Sequence, residues 1–162
     1  MSPSEPNRKQ VWLILWVAFT AAPVLYYVVG ALVGGPAPAV PQLPLVRLVL
    51  TLLATVEVVA GGFLMTRAPR ARAGVQGFGA FFGGTEPAAP AAFQLAFLIA
   101  ASLVEACAIL GFVLLFLGAT LAEYLPFGAA SLGVMLAVAL PTGMRYWSEV
   151  ERVRTGGSPS VG

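Results

Sequence analysis

Two glutamates, Glu57 and Glu105, are the residues of this chain best placed to do chemistry, because each stands near the middle of a long apolar stretch. A carboxyl group in hydrocarbon is costly. It turns towards protein or water, and by default it marks an ion or proton site. Little else competes with these two. The chain has no His and no Asp, a single Cys, and seven acidic side chains. One thiol falls short of a metal framework, and without His, haem, zinc and chlorophyll-type ligation by imidazole are excluded. No metal and no cofactor is expected. Nor can a nucleophile–base pair be assembled, so the chain is not read as an enzyme. Cys107, deep in the third apolar stretch, reads as a small packing residue.

The elements that must position these carboxyls follow from composition. Of 162 residues, 59% are hydrophobic and 10% charged, with mean hydropathy +0.88; soluble domains carry about 25% charged residues. A membrane-crossing helix needs about 20 apolar residues, and segments 11–33, 45–65, 93–118 and 124–144 qualify. The expectation is an all-α integral membrane protein, with four transmembrane helices in an antiparallel bundle. Residues 1–10 form a short leading segment, 66–92 a loop, and 145–162 a tail that is disordered around Gly156, Gly157 and Pro159.

Arg8, Lys9, Arg67, Arg70, Arg72, Arg145, Arg152 and Arg154 then share one side, and Arg47 stands alone on the other. The positive-inside bias puts both termini and the middle loop in the cytoplasm. The Ala-, Gly-, Pro- and Val-rich composition suits a GC-rich bacterial genome, hence a bacterial inner membrane. The first segment is longer than a signal-peptide apolar region and is read as a retained helix.

Within the connections, Pro36, Pro38, Pro41 and Pro44 favour an extended loop. A tight turn is expected around residues 121–123, with Glu123 free to reach water. In the middle loop, Arg67, Arg70 and Arg72 are expected to meet anionic headgroups or a partner's acidic surface. Phe78, Phe81 and Phe82 are expected to dip into the interface, and Tyr146 and Trp147 to join an aromatic belt. The glycine spacing at Gly74, Gly77 and Gly79 lacks the preceding strand that a phosphate loop needs. No nucleic-acid partner is expected.

Small residues flank both glutamates one turn away: Ala54, Ala60 and Gly61 beside Glu57, and Ala101, Ser102 and Ala108 beside Glu105. Small-residue faces let membrane helices approach closely. Gly61, and a seam of Ala129, Gly133 and Ala137 on the fourth helix, are therefore expected to pack helices. At 1.5 Å per residue, both carboxyls fall within roughly 3 Å of the bilayer centre. At one depth on sequential helices they could meet and share a proton. Thr20, Tyr26 and Ser102 are the expected hydrogen-bond partners. Against this stands a plainer role, in which the buried carboxyls fasten helices through hydrogen bonds worth ~0.6–2 kcal/mol each.

Residues 97–116 carry Leu103-Val104-Glu105-Ala106, with Gly111 six positions after the glutamate. This stretch resembles the carboxylate-bearing helix of the c-type proteolipids of rotary ATP synthases. The resemblance implies that Glu105 is a proton-carrying carboxyl. Sodium-binding members place Ser or Thr after the Glu, so Ala106 implies protons. The same helix is similar to a segment of small four-helix bacterial membrane proteins, which implies no activity. Two functions stay open. One is a proton-binding, proteolipid-like subunit in the bilayer, using Glu105 with Glu57, in a homo-oligomer or beside a partner. The other is a non-catalytic accessory subunit of a larger membrane complex.

Overall fold

Four apolar runs become four long helices in the computed structural model, which describes residues 8–33, 43–71, 81 and 88–154. Helix α1 spans Arg8–Val33, α2 Leu43–Arg67 and α3 Pro90–Phe116. The fourth runs as α4 (Leu121–Val134), a π-helical turn (Met135–Ala139) and α5 (Leu140–Arg154). A 3₁₀ turn, Ala68–Arg70, extends α2. Four helices are long and apolar enough to cross a membrane, and no strand occurs among the described residues.

The helix ends have local causes. Pro90 occupies the first turn of α3, where its missing N–H is no loss. After α3 the chain turns at Gly118, whose φ of 94° suits glycine. There the amides of Gly118 and Ala119 donate to the carbonyls of Leu115 and Leu114, closing the helix end. Residues 121–123, expected in the turn, form the first turn of α4 instead. Glu123 caps that turn, its carboxylate accepting the Thr120 backbone N–H at 2.7 Å. It also pairs with Arg47 at 2.6 Å. Thr120-x-x-Glu123 is the sequence sign of such a cap.

Helix α3 is the central element: 44% of its most apolar window is buried, against 11% for α1. Glycines set the close approaches. A methyl group on Gly61 would come within 2.9 Å of the Ala100 carbonyl oxygen and 2.7 Å of Val104. One on Gly111 would meet Phe127 of α4 at 2.5 Å. Gly61 therefore packs helices as expected from its neighbours. Ala129, Gly133 and Ala137 do not: all three are exposed, and a methyl group on Gly133 would touch nothing within 4 Å. Their stripe faces away from α1, α2 and α3.

At the arginine-rich end, an aromatic group joins α1, α3 and α5. Tyr146 stacks on Phe93 at 3.9 Å, Trp147 meets Phe93 edge-on at 5.9 Å, and Trp12 meets Phe97 at 6.0 Å. Such pairs contribute about 0.5–1.5 kcal/mol each beyond their buried area. Tyr146 and Trp147 are thus buried in protein and not arrayed in a surface belt. The Tyr146 hydroxyl donates to the Ala88 carbonyl at 2.6 Å. Phe81 is likewise part of this core and does not point outwards. The segment expected to be a tail is helical as far as Arg154. Arg72, Phe78 and Phe82, the loop glycines, and the end of the tail lie outside the described residues.

Candidate functional site

Glu105 is buried, at 7% exposure; the Tyr26 hydroxyl is the side-chain donor beside its carboxyl, placed too loosely to close a hydrogen bond of standard geometry, and no closer partner stands among the described residues. Its direction follows from helix geometry. Val104 faces Gly61 of α2, and the next residue turns about 100° around the axis. That rotation carries Glu105 away from α2 and towards α1 and α4. Tyr26 of α1 and Tyr124 of α4 interact electrostatically with it.

The register of α1 on α3 is set by three contacts: Trp12 with Phe97, Tyr26 with Phe112 at 5.2 Å, and Gly30 with Leu115. This stagger brings Thr20 level with Glu105, as the depth argument anticipated. The Thr20 hydroxyl, however, donates to the Trp16 carbonyl of its own helix at 2.7 Å. Tyr26 lies higher on α1. Long helical side chains lean back towards the N-terminus, which brings its hydroxyl down to the Glu105 level. Ser102 is exposed and is not a partner of the buried carboxyl.

Two side chains that complete the surroundings escaped the sequence reading. Tyr124 is 2% exposed, and its hydroxyl donates to the Pro23 carbonyl at 2.6 Å. Gly128, one turn on, leaves room for its ring. Ser131 is fully buried, and its hydroxyl has no partner among the described residues. Phe127 meets Gly111 and its carbonyl accepts the Cys107 thiol at 3.7 Å. Ser131, one turn later, therefore faces the Glu105 turn of α3. The one available signal was chemical: a buried tyrosine must place its O–H somewhere.

Glu57 behaves differently. It is half-buried at the edge of the α2–α3 seam, with one carboxyl oxygen enclosed and unpartnered. It stands one turn from Gly61, so the two glutamates do occupy similar levels. Rotation about α3 separates them. No hydrogen bond joins the two carboxyls among the described residues, and the Cys107 thiol lies near both. Cys107 also lines a lateral cleft of about 310 Å³ between α2 and α4. The Arg47–Glu123 pair stands at one end of that cleft, and Ala54 and Phe127 lie on its walls.

Of the basic residues expected at headgroup level, Arg67 lies over the Phe63 ring at 5.1 Å, and Arg70 is exposed. No group of His, Cys, Asp or Glu suited to a metal ion occurs among the described residues. No protein family, no curated protein and no solved structure is matched by this chain.

Proposed function

We propose that this is a multi-pass protein of the bacterial inner membrane that binds protons at Glu105, in the manner of a proteolipid-like subunit. Its helices cross the bilayer in alternating directions, with both termini in the cytoplasm. Pairings at the arginine-rich end support that arrangement. Lys9 bonds Glu151 at 2.8 Å, and the Gln94 amide donates to the Arg8 carbonyl at 2.8 Å. The Arg47–Glu123 pair gathers the opposite ends of α2 and α4.

The observation that carries the proton reading is the Glu105 carboxyl itself, enclosed without a counter-charge and with the Tyr26 hydroxyl as its one nearby donor among the described residues. An ionised carboxylate in apolar surroundings is strongly disfavoured without a counter-charge or several donors. A neutral acid can be housed there, with the Tyr26 hydroxyl as a neighbour. Release of the proton requires a cation nearby, and every Lys and Arg of the chain lies towards the helix ends or in the connections. The cation is therefore supplied by another subunit. Glu57 takes no share in the same proton.

The test is proton uptake by the purified full chain in detergent, read on acidification of weakly buffered solution from an alkaline start at which Glu105 is ionised. Glu105→Gln keeps the shape and cannot titrate, so its uptake falls short of the wild type by one group. Equal uptake by both proteins refutes the proposal.

A second reading, a non-catalytic accessory subunit, is favoured by one observation. The Ala129, Gly133 and Ala137 stripe is open at the surface, where a helix of another chain could approach closely.

A further inference from the structure

At the arginine-rich end, the end of α2 with its 3₁₀ turn and residues 142–149 of α5 line an open hollow of about 450 Å³. Its lining is polar and carries charges of both signs: Arg70 from the turn, and Arg145 and Glu149 from α5, with Thr66 and Thr142 between them. Neither guanidinium and not the carboxylate is engaged in an ion pair among the described residues. The Tyr146 hydroxyl is committed to the Ala88 carbonyl, which makes that side of the hollow rigid. The Thr66 hydroxyl is committed to the Phe63 carbonyl at 2.7 Å. The Thr142 hydroxyl has no such engagement among the described residues.

Two guanidiniums around one space suit a phosphate group, whose oxygens accept their planar N–H forks. A lone carboxylate beside them opposes a purely anionic ligand and suits an ammonium. We infer that this hollow binds a phosphate group joined through a short linker to a primary ammonium, the headgroup chemistry of phosphatidylethanolamine. Arg70, Arg145 and the Thr142 hydroxyl hold the phosphate, and Glu149 holds the ammonium. The inference rests on the four helices crossing a bilayer, which puts this end at headgroup level, and it does not depend on Glu105.

The test is native mass spectrometry of the full chain in mild detergent. It is supplied separately with dioleoyl-phosphatidylethanolamine, -phosphatidylglycerol or -phosphatidylcholine, and the lipid retained is measured. The wild type should retain the ethanolamine lipid about tenfold more strongly than the other two, one charge-assisted contact being worth about that factor. Glu149→Gln should erase the preference over phosphatidylglycerol while keeping phosphate-dependent binding. Arg70→Gln with Arg145→Gln should reduce retention of all three. These side chains are exposed, so a thermal melt matching the wild type certifies that each variant is folded. Soluble O-phosphoethanolamine, added as competitor, separates the two sources of this chemistry: displacement at equal occupancy assigns the hollow to a free phosphoamine, and failure to displace assigns it to lipid. Equal retention of the three lipids by the wild type overturns the inference. So does an ethanolamine preference that survives Glu149→Gln, or retention unchanged by the paired arginine substitutions.

Discussion

At Gly143 the space that a methyl group would take is already filled by the Trp12 indole, so the α1 side chain packs directly on the α5 backbone. Gly143→Ala should therefore cost about 1–3 kcal/mol by overpacking. The same change at Gly133, where nothing lies within 4 Å, should be neutral or stabilising by up to about 1 kcal/mol through helix propensity. Unfolding of both variants in one detergent checks this. Equal stabilities would mean that the Trp12 contact carries no weight. Residue spacing alone could not separate these two glycines, since both occupy apolar helical faces. The same holds for the carboxyls. Position in an apolar run singled out Glu57 and Glu105, and a midpoint count set their depth. Which way each turns depends on contacts from helices distant in sequence. Tyr124 reaches Pro23 and Trp16 reaches Met135, and no local pattern announces such pairings.

At the scale of the element, the fourth helix shows how a backbone irregularity becomes a binding group. Pro141 has no N–H to offer the carbonyl four residues back, and its ring crowds that position. The chain widens just ahead of it into the π-helical turn Met135–Ala139, where the Leu140 amide reaches back to the Met135 carbonyl. That carbonyl also accepts the Trp16 indole N–H at 3.0 Å. If Pro141 creates this acceptor, the two residues are energetically coupled. Trp16→Phe, measured by unfolding in detergent, should cost about 0.6 kcal/mol more in the native background than in Pro141→Ala, a typical buried hydrogen bond in a membrane protein. Additive effects would show that the indole bond owes nothing to the proline. Element boundaries were partly legible. Pro90 and the Thr120-x-x-Glu123 pair mark the starts of α3 and α4 in plain chemical terms. Hydropathy missed the extension to Arg154, because it reports the length of an apolar run and says nothing of a polar-faced helix continuing past it. Tyr146 and Trp147 bury one face of that extension, and the exposed face carries charge.

For the whole molecule, the apolar runs were enough to expect four long helices, because only helices and closed barrels satisfy the backbone in hydrocarbon and barrel strands are short and alternate apolar with polar residues. Packing was not legible from composition. Small residues occur on several faces, and only some serve contacts within the chain: Gly61 and Gly111 are covered, whereas Ala129, Gly133 and Ala137 are open. Central α3 carries Glu105 on the side turned to α1 and α4, and Cys107 on the side turned to the α2–α4 cleft. Proton binding at Glu105 requires a carboxyl that is neutral while enclosed in apolar surroundings. Hydrophobic carbodiimides attack such groups, so labelling of the full chain in native membranes near neutral pH, read by peptide mass spectrometry, is the most direct measurement. Modification should fall on Glu105, disappear in Glu105→Gln, and persist there in Glu57→Gln. An unmodified Glu105, with the reagent found on other carboxyls, would contradict the assignment.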